Sequence, residues 1–310
     1  MDSNLNDSLT QRLPSKFEDI SYDTNKLLKK KIEQSIITIS PKNKQSISIC
    51  DEKKYQYEFS ILETIIDNED NHISKLSKGN SKNRYSDIRV YEYNKVSLKT
   101  NEYINASFIN IPYEKCFIST QGPIDSSIND FWEMIFEYDC KIIIMLCNEI
   151  EVERKRCSNY WNSKNTNFKI EYKEERKNDL IIRNITFSKN KISKNVIQIQ
   201  YNGWPDHGIP NIEEAYNSFL NIIHFINENN NNCPVVVHCS AGVGRTGTFL
   251  SIYNLVYEIE KKKNNQVIKF SIFNVVRKLK EMRMYLVQNW LQYSFVYEFI
   301  EMYLKSLFKK

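Results

Sequence analysis

The sequence predicts an α/β fold in which a highly twisted mixed sheet is flanked by helices. Short runs of β-branched and apolar residues indicate strands, and longer amphipathic stretches between them indicate helices. The clearest helical pattern begins at Ile212, where apolar residues recur every three or four positions and so form one buried face. Strands are predicted at 141–147, 168–172, 180–187, 196–201 and 235–238. Helices are predicted at 127–138, 212–228, 248–260, 271–284 and 290–307.

A polar N-terminal extension precedes this predicted domain. Residues 1–54 are rich in Asn, Ser, Lys and Asp, and they are predicted to be partly disordered or to hold one amphipathic helix. That helix would carry Leu27, Leu28, Ile32 and Ile36, and it would either dock on the domain or bind a partner. The remaining residues, 55–310, are enough for one large domain with a substantial core.

Composition excludes several classes of protein. No run approaches the roughly 20 apolar residues that a membrane-spanning helix needs, and residues 1–15 lack the apolar region of a signal peptide. The seven cysteines are unevenly spaced, with no CxxC pair and no histidine at zinc spacing, which indicates a reducing compartment and no metal site. We therefore expect a cytoplasmic or nuclear protein without a cofactor. The lysine runs lack interleaved aromatic residues, so nucleic acid is not an expected partner.

The most informative segment is His-Cys-Ser-Ala-Gly-Val-Gly-Arg-Thr-Gly at 238–247, between a predicted strand and a predicted helix. Its glycines let the backbone curl so that successive N–H groups point inward, and such a nest at a helix N-terminus favours a dianion. Arg245 adds a planar guanidinium that can hold two phosphate oxygens at once. We call residues 239–245 the phosphate cradle. Between its cysteine and its arginine, the residues predicted to bind phosphate are Ser240, Ala241, Gly242, Val243 and Gly244.

Cys239 begins the cradle and is the predicted nucleophile. The positive field of the nest and of Arg245 favours a thiolate, which lies below a bound phosphate and attacks phosphorus. Thr246 is predicted to donate a hydrogen bond to the sulfur and so to moderate its basicity. His238 is interpreted as a core histidine whose hydrogen bonds stiffen the loop, because a thiolate formed by the nest needs no general base.

A second segment, Trp-Pro-Asp-His-Gly at 204–208, is predicted to supply the proton. An oxygen that leaves phosphorus must be protonated, and a carboxylic acid on a movable loop can do this, with a typical contribution of about 10²–10⁴-fold. Asp206 is therefore the predicted general acid. Gly203 and Gly208 flank the loop as hinges, and Trp204 is predicted to anchor it.

Together with these two loops, further motifs in the same order resemble the catalytic domain of the tyrosine-specific, cysteine-dependent protein phosphatases of the non-receptor type. The resemblance runs from about residue 55 to about residue 307. The segment KNRYSDI at 82–88 resembles the family's phosphotyrosine-recognition loop, and QNWLQ at 288–292 resembles its glutamine loop. Other matching segments are NEYINAS at 101–107, TQGP at 120–123, FWEM at 131–134 and RCSNYW at 156–161. The resemblance implies the protein-tyrosine phosphatase fold.

The resemblance also implies roles for individual residues. Cys239 would form a phosphocysteine intermediate, and Asp206 would act as general acid and then as general base for its hydrolysis. Gln288 would position the attacking water, with Gln292 assisting in the same loop.

For substrate recognition, the resemblance implies that Tyr85 stacks on the phenyl ring and that Asp87 holds a backbone N–H of the substrate peptide. Glu151, counted back from Cys157, would orient Arg245. The formal net charge of +5 is compatible with attracting acidic, phosphorylated peptides.

These motifs predict hydrolysis of phosphotyrosine in signalling proteins, and two alternatives stay open. One is a phosphotyrosine-binding pseudophosphatase, which the intact reacting groups disfavour. The other is a broader dual-specificity or phosphoinositide phosphatase. The recognition loop with Tyr85 disfavours it, because a deep cleft favours the longer phosphotyrosine side chain.

Overall fold

The computed structural model describes residues 22–40, 47–64, 73–111, 115–205, 208–230, 232–265 and 267–308. These residues form a mixed sheet of seven strands flanked by helices, which confirms the predicted fold class. No helix in these ranges is long and apolar enough to cross a membrane. The helices are α1 Tyr22–Gln34, α2 Glu52–Glu63, α3 Ile128–Glu137, α4 Ile212–Asn229, α5 Gly244–Lys262, α6 Ile272–Met282 and α7 Trp290–Leu307. The strands are β1 Ile37–Ile39, β2 Ala106–Ile109, β3 Phe117–Thr120, β4 Ile142–Met145, β5 Ile150–Glu151, β6 Arg154–Lys155, β7 Lys169–Lys177, β8 Leu180–Lys189, β9 Ile192–Tyr201, β10 Val235–His238 and β11 Ile268–Phe270.

The large sheet has the strand order β2-β3-β10-β4-β9-β8-β7. Its central strands β3, β10, β4 and β9 run parallel, whereas the outer strands pair antiparallel. Strands of a parallel sheet are buried on both faces, which explains why β4 and β10 are nearly continuous runs of isoleucine and valine. The carboxyl ends of the four parallel strands lie side by side, and ligands bind outside this edge in open α/β sheets.

Helices α4 and α5 can be compared directly with their predictions. Helix α4 buries the predicted apolar face, which confirms the pattern seen from Ile212 onward. Helix α5 begins at Gly244, inside the phosphate cradle, rather than at the predicted residue 248. The early start places its first turn against the loop before α7: a Cβ atom on Gly247 would lie 2.2 Å from the backbone nitrogen of Val287.

The N-terminal part of the described chain packs against the domain. The predicted amphipathic helix is present as α1, with Leu28 buried and Ile32 partly buried against the core. The prediction that Ile36 belongs to this face is wrong, because the helix ends at Gln34 and Ile36 is 47% exposed. The side chain of Leu27 lies outside the described residues. The chain continues into β1, which pairs antiparallel with β11.

A buried carboxylate joins this region to helix α7. Glu58 of α2 is fully buried, and its Oε2 accepts hydrogen bonds of 2.6 Å from the hydroxyls of Tyr293 and Tyr297. The ammonium group of Lys31 lies 3.5 Å from the other carboxylate oxygen. Because an unpaired buried charge costs several kcal/mol, the two tyrosines and the lysine are needed to make this position of Glu58 tolerable.

Candidate active site

The candidate site lies at the carboxyl edge of the parallel strands. Cys239 follows β10 directly, and it opens onto a cleft of about 370 Å³. The cleft is lined by Tyr85, Asp87, Ile88, Glu151, Arg156, Trp204, Gly208, Cys239, Ser240, Ala241, Gly244, Arg245, Gln288, Asn289 and Gln292. Residues that are far apart in the sequence are therefore brought together around one buried sulfur. No group of three or more His, Cys, Asp or Glu side chains that could hold a metal occurs in the described part of the chain.

The backbone of the cradle is held from behind. Gly242 has a φ of +69°, and a Cβ atom there would lie 2.0 Å from the carbonyl oxygen of Thr120, so only glycine fits. The fully buried Arg283 donates hydrogen bonds to the carbonyls of Gly242 at 2.9 Å and Ala241 at 3.2 Å. The C=O and N–H of a trans peptide point in opposite directions, so these bonds turn the following N–H groups, on Gly242 and Val243, away from Arg283.

Arg283 is a functional residue that the sequence analysis missed. Burial lowers the pKa of its guanidinium to about 10, so it stays charged at neutral pH. It adds a fixed positive charge beneath the cradle, which favours an anion above it. Arginine in a helix-rich segment is common, and no local pattern marks this one as a support of the loop.

Glu151 holds the guanidinium of Arg245 in a bidentate ion pair. The distances are 2.5 Å from Nη1 to Oε1 and 2.9 Å from Nη2 to Oε2. Burial acts to lower the pKa of Arg245, but the two bonds from Glu151 outweigh it and raise the pKa above its ordinary value. Glu151 also accepts a bond of 2.9 Å from the backbone of Asn148. The paired geometry fixes the plane of the guanidinium at the cleft.

The tyrosine of the recognition loop lies against the cradle. The hydroxyl of Tyr85 is 2.9 Å from Oγ of Ser240, which places the tyrosine beside residues 239–245. The neighbouring Arg84 fixes the loop by donating to three backbone carbonyls, those of Gly122, Lys155 and Pro123. Asp87 is exposed at the rim of the cleft.

The glutamine loop packs on the start of α5. A Cβ atom on Gly244 would lie 2.8 Å from Nε2 of Gln292 and 3.1 Å from Oε1 of Gln288, so both amides sit over the cradle. The loop is held by Lys280, a second residue that the sequence analysis missed. Its buried ammonium donates a 3.0 Å bond to the carbonyl of Val287, and burial lowers its pKa to about 8.

Thr246 is placed differently from the expectation. Its Oγ1 is buried and has no hydrogen-bond partner among the described residues, so the predicted bond to the sulfur is not formed. A helical threonine often bonds the carbonyl four residues earlier, as Thr248 does to Gly244. For Thr246 that acceptor is Gly242, whose carbonyl already accepts from Arg283 and from Oγ of Ser119.

The general-acid loop is described only in part. Asp206 and His207 lie outside the described residues. Trp204 is buried against aromatic rings of α4 and α7, and its indole N–H donates a 3.2 Å bond to the carbonyl of Gly208. Nη2 of Arg245 donates a 3.3 Å bond to the carbonyl of Pro205. The base of the loop is thus closed by the bond from Trp204 to Gly208, and Pro205 contacts Arg245.

His238, which precedes Cys239, is fully buried. Its Nδ1 lies 3.2 Å from the carbonyl oxygen of Cys239, and its Nε2 lies 2.9 Å from the hydroxyl of Tyr160. Burial lowers the pKa of His238 from 6.5 to about 4, so the imidazole is neutral at physiological pH. A neutral ring cannot add a cation below the sulfur, and its role is to hold the loop.

We expect this histidine to make stability depend on pH. The unfolded chain binds a proton at this position below about pH 6.5, whereas the folded protein does so only near pH 4. The free energy of unfolding therefore falls as the pH is lowered from 6.5 towards 4, by as much as about 3 kcal/mol, and is unaffected above 6.5. Urea unfolding at several pH values checks this. In His238→Asn the decrease should be smaller than in the parent, and parallel curves for the two proteins would contradict the assignment.

Comparison with known proteins agrees with this geometry. The family model described as protein-tyrosine phosphatase matches residues 79–301. Tyrosine-protein phosphatase 69D of Drosophila melanogaster is 36% identical over 246 residues, which are 72% of this chain and 16% of that protein. Human tyrosine-protein phosphatase non-receptor type 12 is 34% identical over 238 residues, which are 71% of this chain and 30% of that protein. This chain thus spans less than a third of either relative.

A solved structure covers the same region. The catalytic domain of human protein tyrosine phosphatase non-receptor type 18 superimposes with a TM-score of 0.73 and 30% sequence identity. The match covers 81% of this chain and 96% of the solved chain. The likeness therefore extends over nearly the whole of that catalytic domain.

Proposed function

The chain belongs to the protein-tyrosine phosphatase family, and on that premise we propose that it hydrolyses phosphotyrosine in signalling proteins through a phosphocysteine intermediate on Cys239. One observation carries the proposal. The sulfur of Cys239 shares its cleft with a guanidinium, that of Arg245, which a buried carboxylate holds in a fixed plane. This is the arrangement that a dianionic phosphate needs in order to lie directly above a nucleophile.

In the first step the sulfur of Cys239 attacks phosphorus, and the bond between phosphorus and the phenolic oxygen breaks. Arg245 and the N–H groups of the cradle bind the three remaining phosphate oxygens. Asp206 donates its proton to the departing phenolic oxygen, so that tyrosine leaves as a neutral phenol. The described neighbours of Asp206 support this assignment, because Trp204 and Gly208 line the cleft and the carbonyl of Pro205 accepts a bond from Arg245.

In the second step water attacks the phosphocysteine and releases inorganic phosphate. Asp206, now a carboxylate, accepts the proton of that water, and Gln288 with Gln292 orients it. The sulfur leaves as a thiolate. We propose that Thr246, whose buried hydroxyl has no partner among the described residues, donates to this thiolate when the sulfur leaves.

We also propose the limits and location of the enzyme. The catalytic domain begins near Tyr55 and continues to residue 310, and residues 1–54 form an extension, part of which packs on the domain. The protein is cytoplasmic or nuclear. This is supported by the cysteines described by the structure, which are all free, and by a thiolate nucleophile that needs a reducing compartment.

The deciding experiment compares phosphotyrosine, phosphoserine and phosphoinositide substrates in steady-state turnover. We expect a strong preference for phosphotyrosine peptides, because a phenyl ring can stack on Tyr85 and a serine side chain is too short to reach Cys239. Tyr85→Ala should lower kcat/KM for phosphotyrosine peptides by about 2- to 12-fold, the value of about 0.5–1.5 kcal/mol for one aromatic pair.

Tyr85→Phe is the matched control, since it keeps the ring and loses only the hydroxyl, which contacts Oγ of Ser240 at 2.9 Å and accepts a 3.5 Å bond from Nη1 of Arg156. Its kcat/KM should stay close to that of the parent. Comparable hydrolysis of phosphoserine peptides or of phosphoinositides would favour the broader phosphatase instead. Binding of phosphotyrosine peptides without turnover of any substrate would favour the pseudophosphatase.

A further inference from the structure

A buried line of hydrogen bonds connects strand β8 to the backbone of Cys239. We call it the Arg183 relay, and its members are Arg183, Gln198, Tyr160, His238 and the carbonyl group of Cys239. The distances along it are 2.8 Å from Nη1 of Arg183 to Oε1 of Gln198, 2.5 Å from Nε2 of Gln198 to the hydroxyl of Tyr160, 2.9 Å from that hydroxyl to Nε2 of His238, and 3.2 Å from Nδ1 of His238 to the Cys239 carbonyl. The four side chains are at most 3% exposed.

The donors and acceptors of the Arg183 relay follow one order, which Arg183 sets. A guanidinium can only donate hydrogen bonds, so Gln198 must turn its carbonyl oxygen towards Arg183 and its NH₂ group towards Tyr160. The oxygen of Tyr160 accepts from that NH₂ group, and its own proton therefore goes to Nε2 of His238. The proton of the neutral imidazole must then be on Nδ1, where it is donated to the carbonyl of Cys239.

Arg183 is fixed firmly enough to impose this order. Its Nε donates a 2.7 Å bond to Glu174, and Nη1 donates a second 2.8 Å bond, to Gln200. The guanidinium lies 4.0 Å from the centre of the Trp161 ring. With its charge paired and its plane stacked, the side chain has one arrangement, and the orientation of Gln198 follows from it.

We propose that Arg183 is a positioning residue for the phosphatase reaction: through Gln198 and Tyr160 it fixes the tautomer of His238 and thereby the carbonyl orientation of Cys239. The effect on catalysis rests on the proposed function. The effect on the tautomer does not, because it follows from the hydrogen bonds alone. Without the relay, nothing favours the tautomer of His238 that carries the proton on Nδ1. In those molecules that carry it on Nε2 instead, the carbonyl of Cys239 has no hydrogen-bond donor from His238.

Gln198→Glu is the sharpest test, since it changes one NH₂ group to an oxygen and keeps the shape. One carboxylate oxygen still accepts from Arg183, and the other now accepts the proton of Tyr160. Tyr160 can then only accept from His238, which must carry its proton on Nε2. We expect the ¹⁵N chemical shifts of the His238 ring to change from the Nδ1–H to the Nε2–H pattern, and kcat/KM for a phosphotyrosine peptide to fall about 10-fold, the effect of one buried hydrogen bond.

Arg183→Met should give a mixture of the two tautomers and a loss in kcat/KM of similar size. Arg176→Met is its matched control, because Arg176 is exposed and donates to the same Glu174 but lies outside the relay. It should keep the parent's tautomer and its kcat/KM. The proposal is overturned if Gln198→Glu keeps the Nδ1–H pattern, or if Arg176→Met and Arg183→Met behave alike. A parent protein that turns over no phosphotyrosine would refute the proposed function, while the ring shifts would still decide the tautomer.

Discussion

Cys239→Ser is expected to abolish turnover while the protein still binds phosphotyrosine peptides. A serine hydroxyl is a poor nucleophile at neutral pH, and His238 is not placed to deprotonate it, because its two ring nitrogens contact the hydroxyl of Tyr160 and the carbonyl of Cys239. The anion-binding parts are untouched: Arg283 still holds the loop and Glu151 still holds Arg245. Steady-state kinetics and calorimetric titration with a phosphotyrosine peptide check the two halves of this prediction.

Cys50→Ser is the matched control, because Cys50 is exposed and lies outside the cleft. It should turn over substrate at the rate of the parent. Residual turnover by Cys239→Ser near the parental rate would overturn the phosphocysteine mechanism. Loss of peptide binding together with turnover would contradict the prediction, because it would show that the variant disturbs the cradle as well as the nucleophile.

Arg245→Ala is expected to lower kcat for phosphotyrosine peptides by about 10³–10⁵-fold, the range for an arginine that stabilises a transferring phosphoryl group. The bidentate pair with Glu151 sets the guanidinium in one plane at the cleft, where its positive charge stabilises the charge that is redistributed over the phosphate oxygens in the transition state. Arg245→Lys keeps a charge but loses the planar fork, and its loss should be smaller than that of alanine and still large.

Removing Arg245 also takes away the bidentate partner of the buried Glu151 and leaves it only the longer 3.5 Å contact with Nε of Arg156, which can cost up to about 3–5 kcal/mol of stability. The free energy of unfolding is therefore measured for each variant. Glu151→Gln separates the two effects, because it keeps the arginine and removes only the carboxylate charge. We expect it to lose less activity than Arg245→Ala. If Arg245→Ala folds and keeps activity within tenfold of the parent, the phosphate-binding role is wrong.

Parts of the fold could be predicted because an element that is buried on more than one face has a largely apolar sequence, which can be seen without knowledge of the rest of the chain. The predicted strand at 235–238 coincides with β10, and the predicted helix at 290–307 coincides with α7. Strands β2 and β3 were not predicted. They contain buried hydroxyl residues such as Ser119 and Thr120, whose side chains donate to backbone carbonyls of other segments, so their sequences lack a continuous apolar run.

Helix α2 was missed for a related reason. Its buried positions are Tyr55, Glu58, Phe59 and Leu62, which follow the spacing of one helical face, but one of them is a carboxylate. A glutamate counts as polar in any sequence pattern. Only the hydroxyls of α7, which lies far along the chain, make it a core residue.

The residues of the candidate site also fall into two groups, those that the sequence indicated and those that it did not. Candidate reacting groups could be proposed from the sequence because they lie within short contiguous loops whose glycines and charges have a direct chemical meaning. The supporting cations, Arg283, Lys280 and Arg183, could not. Each donates to a carbonyl group of the backbone or of a glutamine in another segment, and such contacts require only that the chain bring two elements together. No spacing rule in the sequence signals them.

The carboxylate of Glu58 has a consequence for how the protein is made. Its two hydroxyl partners stand 235 and 239 residues further along the chain. While the ribosome is still adding those residues, helix α2 can neither satisfy its buried charge nor cover Tyr55, Phe59 and Leu62. The N-terminal region must therefore stay unfolded, or held by chaperones, until α7 has been synthesised, and a nascent chain that stops short of it carries an exposed apolar surface that cellular quality control can recognise.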